Sequence, residues 1–143
     1  MNQSQKRLFL IQTLLKERPE YRQLDVPQDA DTQRQLLRGL MNTRSPQETD
    51  AEFLRVQDDY LRGEIAVRGI TDIAELTPVR PGLYLWQGDI TTLKCDAIVN
   101  AANSGMTGCY IPNHRCIDNA IHTYAGVELR LACEALMEKQ GSP

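Results

Sequence analysis

Between Gly108 and Asn119 the chain gathers Cys109, His114, Cys116 and Asp118: two thiols, an imidazole and a carboxylate within a dozen residues. Thiolate and imidazole suit zinc, a borderline-soft cation, whereas magnesium and calcium take oxygen shells. Three such ligands lie close together. A structural zinc closes its tetrahedron with four protein ligands, while a catalytic one keeps a position for water or substrate, so the spacing favours an open, reactive metal. Cys-x4-His-x-Cys is a weaker signal than paired Cys-x-x-Cys knuckles. Gly108 and Pro112 bend the intervening loop, which helps the three ligands converge. Cys95 beside a strand and Cys133 on an apolar helical face read as small buried hydrophobes. Cys133 as a fourth ligand is the rival to an open site.

Other polar residues stand where a nucleotide could meet them. Asp89, in Gly88-Asp89-Ile90-Thr91, lies where a strand ends and the chain turns. Open α/β sheets present groups to ligands there, and a carboxylate can accept the exocyclic amine of adenine; the alternative is a cap or turn former. Asn100 and Asn103 follow the apolar run Ala97-Ile98-Val99. An amide carries both donor and acceptor, so each can hold ribose hydroxyls or close a turn. Asn100 reads as a structural hydrogen-bonding residue and Asn103 as a ligand contact. Asp118, two residues past Cys116, can orient a water or a ribose hydroxyl, or serve as an ordinary helix-N-terminal aspartate. His122, one helical turn after Asp118, is either catalytic or a packed imidazole.

These residues need a scaffold, and the pattern supplies two kinds. Up to about residue 70 the chain reads as helices. Leu8, Ile11, Leu14 and Leu15 form one face of a helix closed by Pro19. Asp31 is expected to cap a second helix carrying Leu36, Leu37, Leu40 and Met41. Thr49 and Glu52 suggest a capping box for a third, with Phe53, Leu54, Val56, Tyr60 and Leu61 as its apolar surface. The run Thr77-Pro78-Val79-Arg80-Pro81-Gly82 marks a boundary. Beyond it the pattern is α/β. Leu83 to Trp86 reads as a short strand, and Ala97 to Val99 as a strand buried on both faces in a parallel sheet. Asp118 to Tyr124 reads as a helix ended by Gly126, followed by a helix from Val127 to Lys139 carrying Leu129, Leu131, Cys133 and Leu136.

Bulk properties narrow the classes. The 143 residues carry 16 basic and 19 acidic side chains, a formal charge of -3 with no long run of either sign. That argues against a nucleic-acid backbone tracker and against a basic membrane anchor. Leu8 to Ile11 is too short an apolar run for a membrane span or a signal-peptide core, which points to the cytoplasm and to free or metal-bound thiols rather than disulfides.

Taken together, Gly88-Asp89-Ile90-Thr91, Ala97-Ile98-Val99-Asn100-Ala101-Ala102-Asn103 and Ile117-Asp118-Asn119-Ala120-Ile121-His122 through Ala125-Gly126 resemble the first part of a macrodomain, the ADP-ribose-binding family. Hydrolytic macrodomains mostly carry a glycine-rich run before the Asp of the last of these motifs. Here Gly108-Cys109 through Cys116 stands in its place, as in the zinc-containing microbial subclass, which also has a helical extension in front. The resemblance implies a three-layer α/β/α macrodomain over residues 81–143, incomplete in this chain, preceded by a small helical domain over residues 1–80. It implies hydrolysis of mono-ADP-ribose from modified proteins, with a dedicated sirtuin and a lipoyl-carrier protein as associated partners. The alternative is a non-catalytic ADP-ribose reader with a structural zinc. Position by position, Asp89 and the Ile90 amide would meet adenine. Asn103, which would hold the distal ribose, and Asp118, nearest the bond to be cleaved, would be the catalytic residues. Cys109, His114 and Cys116 would bind Zn2+.

Residues 81–143 fall short of the about 100–150 residues usual for a layered α/β domain. The second glycine-rich loop of the family has no counterpart, and the expected parallel sheet is unfinished. The sequence therefore reads as the front of a longer protein, poorly active by itself, its remainder a further segment or a separate chain.

Overall fold

The computed structural model describes residues 1–21 and 23–142. Three helices come first: α1 (Gln3–Lys16), α2 (Ala30–Thr43) and α3 (Ala51–Arg68). Each starts at a side-chain cap that satisfies an otherwise unpaired backbone N–H. Asn2 and Gln5 form a reciprocal capping box on α1. Asp29, not Asp31, caps α2 by accepting from the Thr32 amide at 2.8 Å. Asp50, not Thr49, caps α3 by accepting from the Phe53 amide at 2.7 Å. Aspartate recurs near both starts, so composition locates the cap only to within a residue or two.

One apolar cluster joins these helices. Leu10, Ile11, Leu14 and Leu15 of α1 meet Leu37, Leu40 and Met41 of α2 and Phe53, Val56, Tyr60 and Leu61 of α3. Leu10 replaces the expected Leu8, which is half-buried, because α1 packs against both α2 and α3 and needs a broader face than a single stripe. Large core side chains such as Phe53 carry much of this stability; truncating one to alanine costs about 3–5 kcal/mol.

Two small sheets follow. β1 (Thr71–Asp72) pairs in parallel with β4 (Leu93–Lys94), reinforced by a Lys94–Asp72 ion pair at 2.6 Å. β2 (Pro78–Arg80) and β3 (Leu83–Tyr84) form an exposed antiparallel hairpin around Gly82, whose φ of 73° suits the turn. The expected strand at Ala97–Val99 is not formed, and Val99 is 89% exposed. A buried strand needs hydrogen-bonding neighbours and a layer on each face. Among the described residues, the parallel pair sits at Thr71–Asp72 and Leu93–Lys94, and nothing pairs with residues 97–99.

The chain ends its described part in α4 (Ile117–Ala125) and α5 (Val127–Gln140), joined at Gly126 with φ of 88°. Val127 completes the helical core, and Tyr124 packs against it. The expected apolar stripe of α5 is only partly used: Val127 and Arg130 are buried, whereas Leu136 is exposed. Helices with two small sheets make the fold α/β in its content. No described helix is long and apolar enough to cross a membrane.

Candidate metal and nucleotide site

The loop before α4 doubles back on itself through local turns. The Asn103 side-chain oxygen accepts from the Gly105 amide at 3.0 Å, and the Asn103 carbonyl accepts from the Met106 amide at 3.0 Å. Met106, Gly108 and Asn113 all have positive φ, at 57°, 88° and 56°. Gly108 is required twice over: besides its φ, a Cβ there would lie 2.8 Å from the His122 ring. This path brings Cys109 Sγ within 3.5 Å of His114 Nδ1, and the donor atoms of Cys109, His114 and Cys116 all lie within 4.8 Å of one another.

That triad fits a metal ion. Zn–S bonds of about 2.3 Å and Zn–N bonds of about 2.0 Å in a tetrahedron put ligand atoms roughly 3.5–3.8 Å apart, close to the Cys109–His114 separation. Cys116 is also the N-cap of α4, and its Sγ accepts from the Asn119 amide at 3.4 Å. The positive end of the helix thus faces a sulfur donor. Cys133 lies outside the triad, half-buried on α5, where burial chiefly and then the Asp118 charge push its thiol up.

Asp118, in the first turn of α4, is only 4% exposed. Its Oδ1 accepts from Asn100 Nδ2 at 2.7 Å and faces His122 Nε2 at 3.5 Å. Asn100 is therefore the structural hydrogen-bonding residue the sequence suggested, and its partner is Asp118. Burial lowers the basicity of His122, partly opposed by Asp118 and reinforced by Arg130. Two buried atoms here lack a hydrogen-bond partner, Asn100 Oδ1 and His122 Nδ1. Asn103 is exposed, and besides capping its own turn its Nδ2 reaches the Gly108 carbonyl at 3.5 Å, at the base of the Cys109–Cys116 loop.

Asp89 caps a short 3-10 turn, Ile90–Thr92. Its Oδ1 accepts from the Thr91 amide at 2.9 Å and the Thr91 hydroxyl at 2.6 Å, and its Oδ2 pairs with Arg68 of α3. Arg68 lies 3.7 Å from the Tyr124 ring centroid, a cation–π contact that holds the guanidinium in place. Partial burial pushes the Asp89 carboxyl up, but the Thr91 hydrogen bonds and the Arg68 charge outweigh it and hold the group below the usual carboxylate range. Beside this turn a cavity of about 270 Å³ is lined by Ile90, Thr91, Leu93, Ile98, Ile121 and Tyr124. The recess is largely apolar, which suits a flat heterocycle; the carboxylate in its lining is Asp96, and Asp89 lies in the adjoining turn next to the lining residues Ile90 and Thr91.

Several residues that shape the site belong to no motif of the sequence. Arg130, 4% exposed, donates to the carbonyls of Asn42 at 2.7 Å, in the last turn of α2, and Arg44 at 2.6 Å, at its C-cap, and to Thr107 at 2.7 Å in the loop before Cys109. Its guanidinium also stacks 4.1 Å from the Tyr110 ring centroid. Arg38 and Asn42 of α2 reach the loop from the other side. Gln57 of α3 accepts from the Val127 amide at 2.9 Å, capping α5 in the absence of a cap from Gly126 itself. A clue existed for Arg130: an arginine three residues after Val127, between Leu129 and Leu131, sits on the face a helix buries.

Residues 99–143 match the family model of the Macro domain. Over 99% of its length the chain is 57% identical to a protein-ADP-ribose hydrolase of Treponema medium, covering 56% of that protein. Over 93% of its length it is 44% identical to a protein-ADP-ribose hydrolase of Staphylococcus aureus strain Mu50, covering 50% of it. The chain thus spans about half the length of these curated relatives.

Proposed function

We propose that this chain carries the metal- and nucleotide-binding part of a zinc-dependent hydrolase that removes mono-ADP-ribose from modified proteins. The observation that carries the reading is the convergence of Cys109, His114 and Cys116 at the start of the helix that also holds the buried Asp118. The names of the similar proteins from Treponema medium and Staphylococcus aureus support it. On this reading residues 1–80 are a helical extension and residues 81–143 the front of a three-layer macrodomain. Four free thiols suit a reducing compartment, and we place the protein in the cytoplasm.

Cys109, His114 and Cys116 would hold the zinc, and a bound zinc supplies Lewis acidity toward a ribose or linkage oxygen or toward water. Asp89 accepts the adenine amine through the lone pair of Oδ2 that Arg68 leaves free, with the Ile90 amide beside it. Asn103 holds the distal ribose. It would exchange its present turn contacts for ribose hydroxyls, which its exposure permits. Asp118 orients the attacking group or accepts its proton, and Asn100 keeps that carboxylate in one rotamer. A lipoyl-carrier protein modified by a sirtuin is the substrate that the macrodomain resemblance suggests.

The test is release of ADP-ribose from a panel of mono-ADP-ribosylated proteins, a lipoyl carrier included, by the full-length protein, by Cys116→Ala and by chelator-treated enzyme. Release by wild type, lost in the other two, is the expected result. Binding of ADP-ribose without release would instead make the protein a reader with a structural zinc.

A further inference from the structure

The helical extension touches the metal loop at the residues that carry its ligands. Arg38 of α2 sends Nη2 to the His114 carbonyl at 3.0 Å, and Nη2 and Nε to Asn119 Oδ1 at 2.8 and 3.1 Å. Asn119 is fully buried. Its side-chain nitrogen donates to the Ile111 carbonyl at 3.0 Å, while its backbone amide donates to Cys116 Sγ at 3.4 Å. One guanidinium therefore fixes the main chain of one ligand directly and, through Asn119, the N–H aimed at a second. One helical turn on, Asn42 Oδ1 accepts from the amide of Asn113 at 3.0 Å, and Asn113 is the positive-φ residue just before His114. Arg38 and Asn42 share a face of α2, so the grip is one surface of one helix.

We propose that Arg38 is a positioning residue for the Cys109–His114–Cys116 site, setting its metal affinity by holding the loop in the binding geometry before metal arrives. The proposal rests on the metal-binding reading above. Groups that orient ligands without touching the metal typically change affinity about 10–100-fold when removed. The forked geometry matters here: the guanidinium spans two acceptors on separate segments, which a lysine ammonium cannot reproduce.

The experiment uses the full-length protein as wild type, Arg38→Met, Arg38→Lys and Leu37→Ala. Zinc affinity is read by competition with a chromophoric chelator, and the cobalt(II)-substituted proteins are compared by their thiolate-to-cobalt charge-transfer and d–d absorption. Leu37 lies in the core on the same helix and makes no contact with the loop through its own hydrogen bonds, so Leu37→Ala reports what lost stability alone does. Both Arg38 variants should bind zinc about ten- to a hundredfold more weakly and shift the cobalt spectrum, with Leu37→Ala unchanged in both despite a lower Tm. Wild-type affinity and spectrum in the two Arg38 variants would overturn the proposal, as would equal weakening in Leu37→Ala. Should wild type itself bind neither zinc nor cobalt, the metal-binding reading falls, and the role of Arg38 falls with it.

Discussion

Asn100 Nδ2 lies 2.7 Å from Asp118 Oδ1, so a buried carboxylate at the head of α4 is held by a neutral donor from the segment after Val99. A neutral partner fixes the rotamer without cancelling the charge, which suits a group expected to orient or take up a proton. Replacing Asn100 with Ala should strand the carboxylate with only the longer His122 contact. ADP-ribose release should fall at least about tenfold, and Tm by several degrees, since an unpaired buried polar group costs about 1–3 kcal/mol. Turnover and calorimetry on the same preparation check both; unchanged turnover would remove Asp118 from the proposed chemistry.

Gly108→Ala should be costly because two penalties coincide: a φ of 88° and a Cβ within 2.8 Å of His122. We expect about 2–4 kcal/mol of lost stability together with weaker metal binding. Gly82→Ala is the comparison, since its φ is 73° but nothing lies within 4 Å of the added carbon. Denaturant unfolding should show it losing only about 1 kcal/mol.

At the other end of the site, Asp89→Asn and Arg68→Ala should each weaken ADP-ribose binding about tenfold. The first removes the charged acceptor and the second releases it from its clamp. The analogue with hypoxanthine in place of adenine lacks the amino group, so its affinity should barely change in either variant. Calorimetric titration with the two ligands decides the matter, because general damage to the cavity would weaken both alike.

The pH dependence of stability follows from His122. Burial holds its folded-state pKa below the ordinary 6.5, so the unfolded chain binds the proton more readily. His122 therefore adds no penalty above about pH 6.5, and stability is lost as pH falls below that value toward the folded-state pKa. Melting scans between about pH 7.5 and 5.5 should show Tm dropping with acid, and His122→Gln should flatten that slope. An identical slope in the variant would assign the effect to other groups.

The helices were legible from the sequence because a 3.6-residue period and a cap are local properties. Even the errors were local, Asp29 for Asp31 and Leu10 for Leu8. The closeness of Cys109, His114 and Cys116 was legible for a similar reason, since they lie on one loop. Ala97–Val99 was misread because apolar composition reports a wish for burial, whereas forming a strand also needs a partner edge. Arg38, Asn42, Gln57 and Arg130 escaped notice because their partners lie far along the chain. Spacing says nothing about a hydrogen bond between Arg38 and Asn119 or between Gln57 and Val127.

Arg130 completes the end of α2 from the far side of the chain, donating to carbonyls that a helix end leaves without partners. During synthesis α1, α2 and α3 emerge before it does, so until α5 is made those carbonyls have only water to meet. Only when α5 leaves the ribosome can the same guanidinium close the helix end and gather the Thr107 carbonyl. The end of α2 and the Cys109–Cys116 loop thus share one guanidinium, so the closing of either depends on α5 being docked.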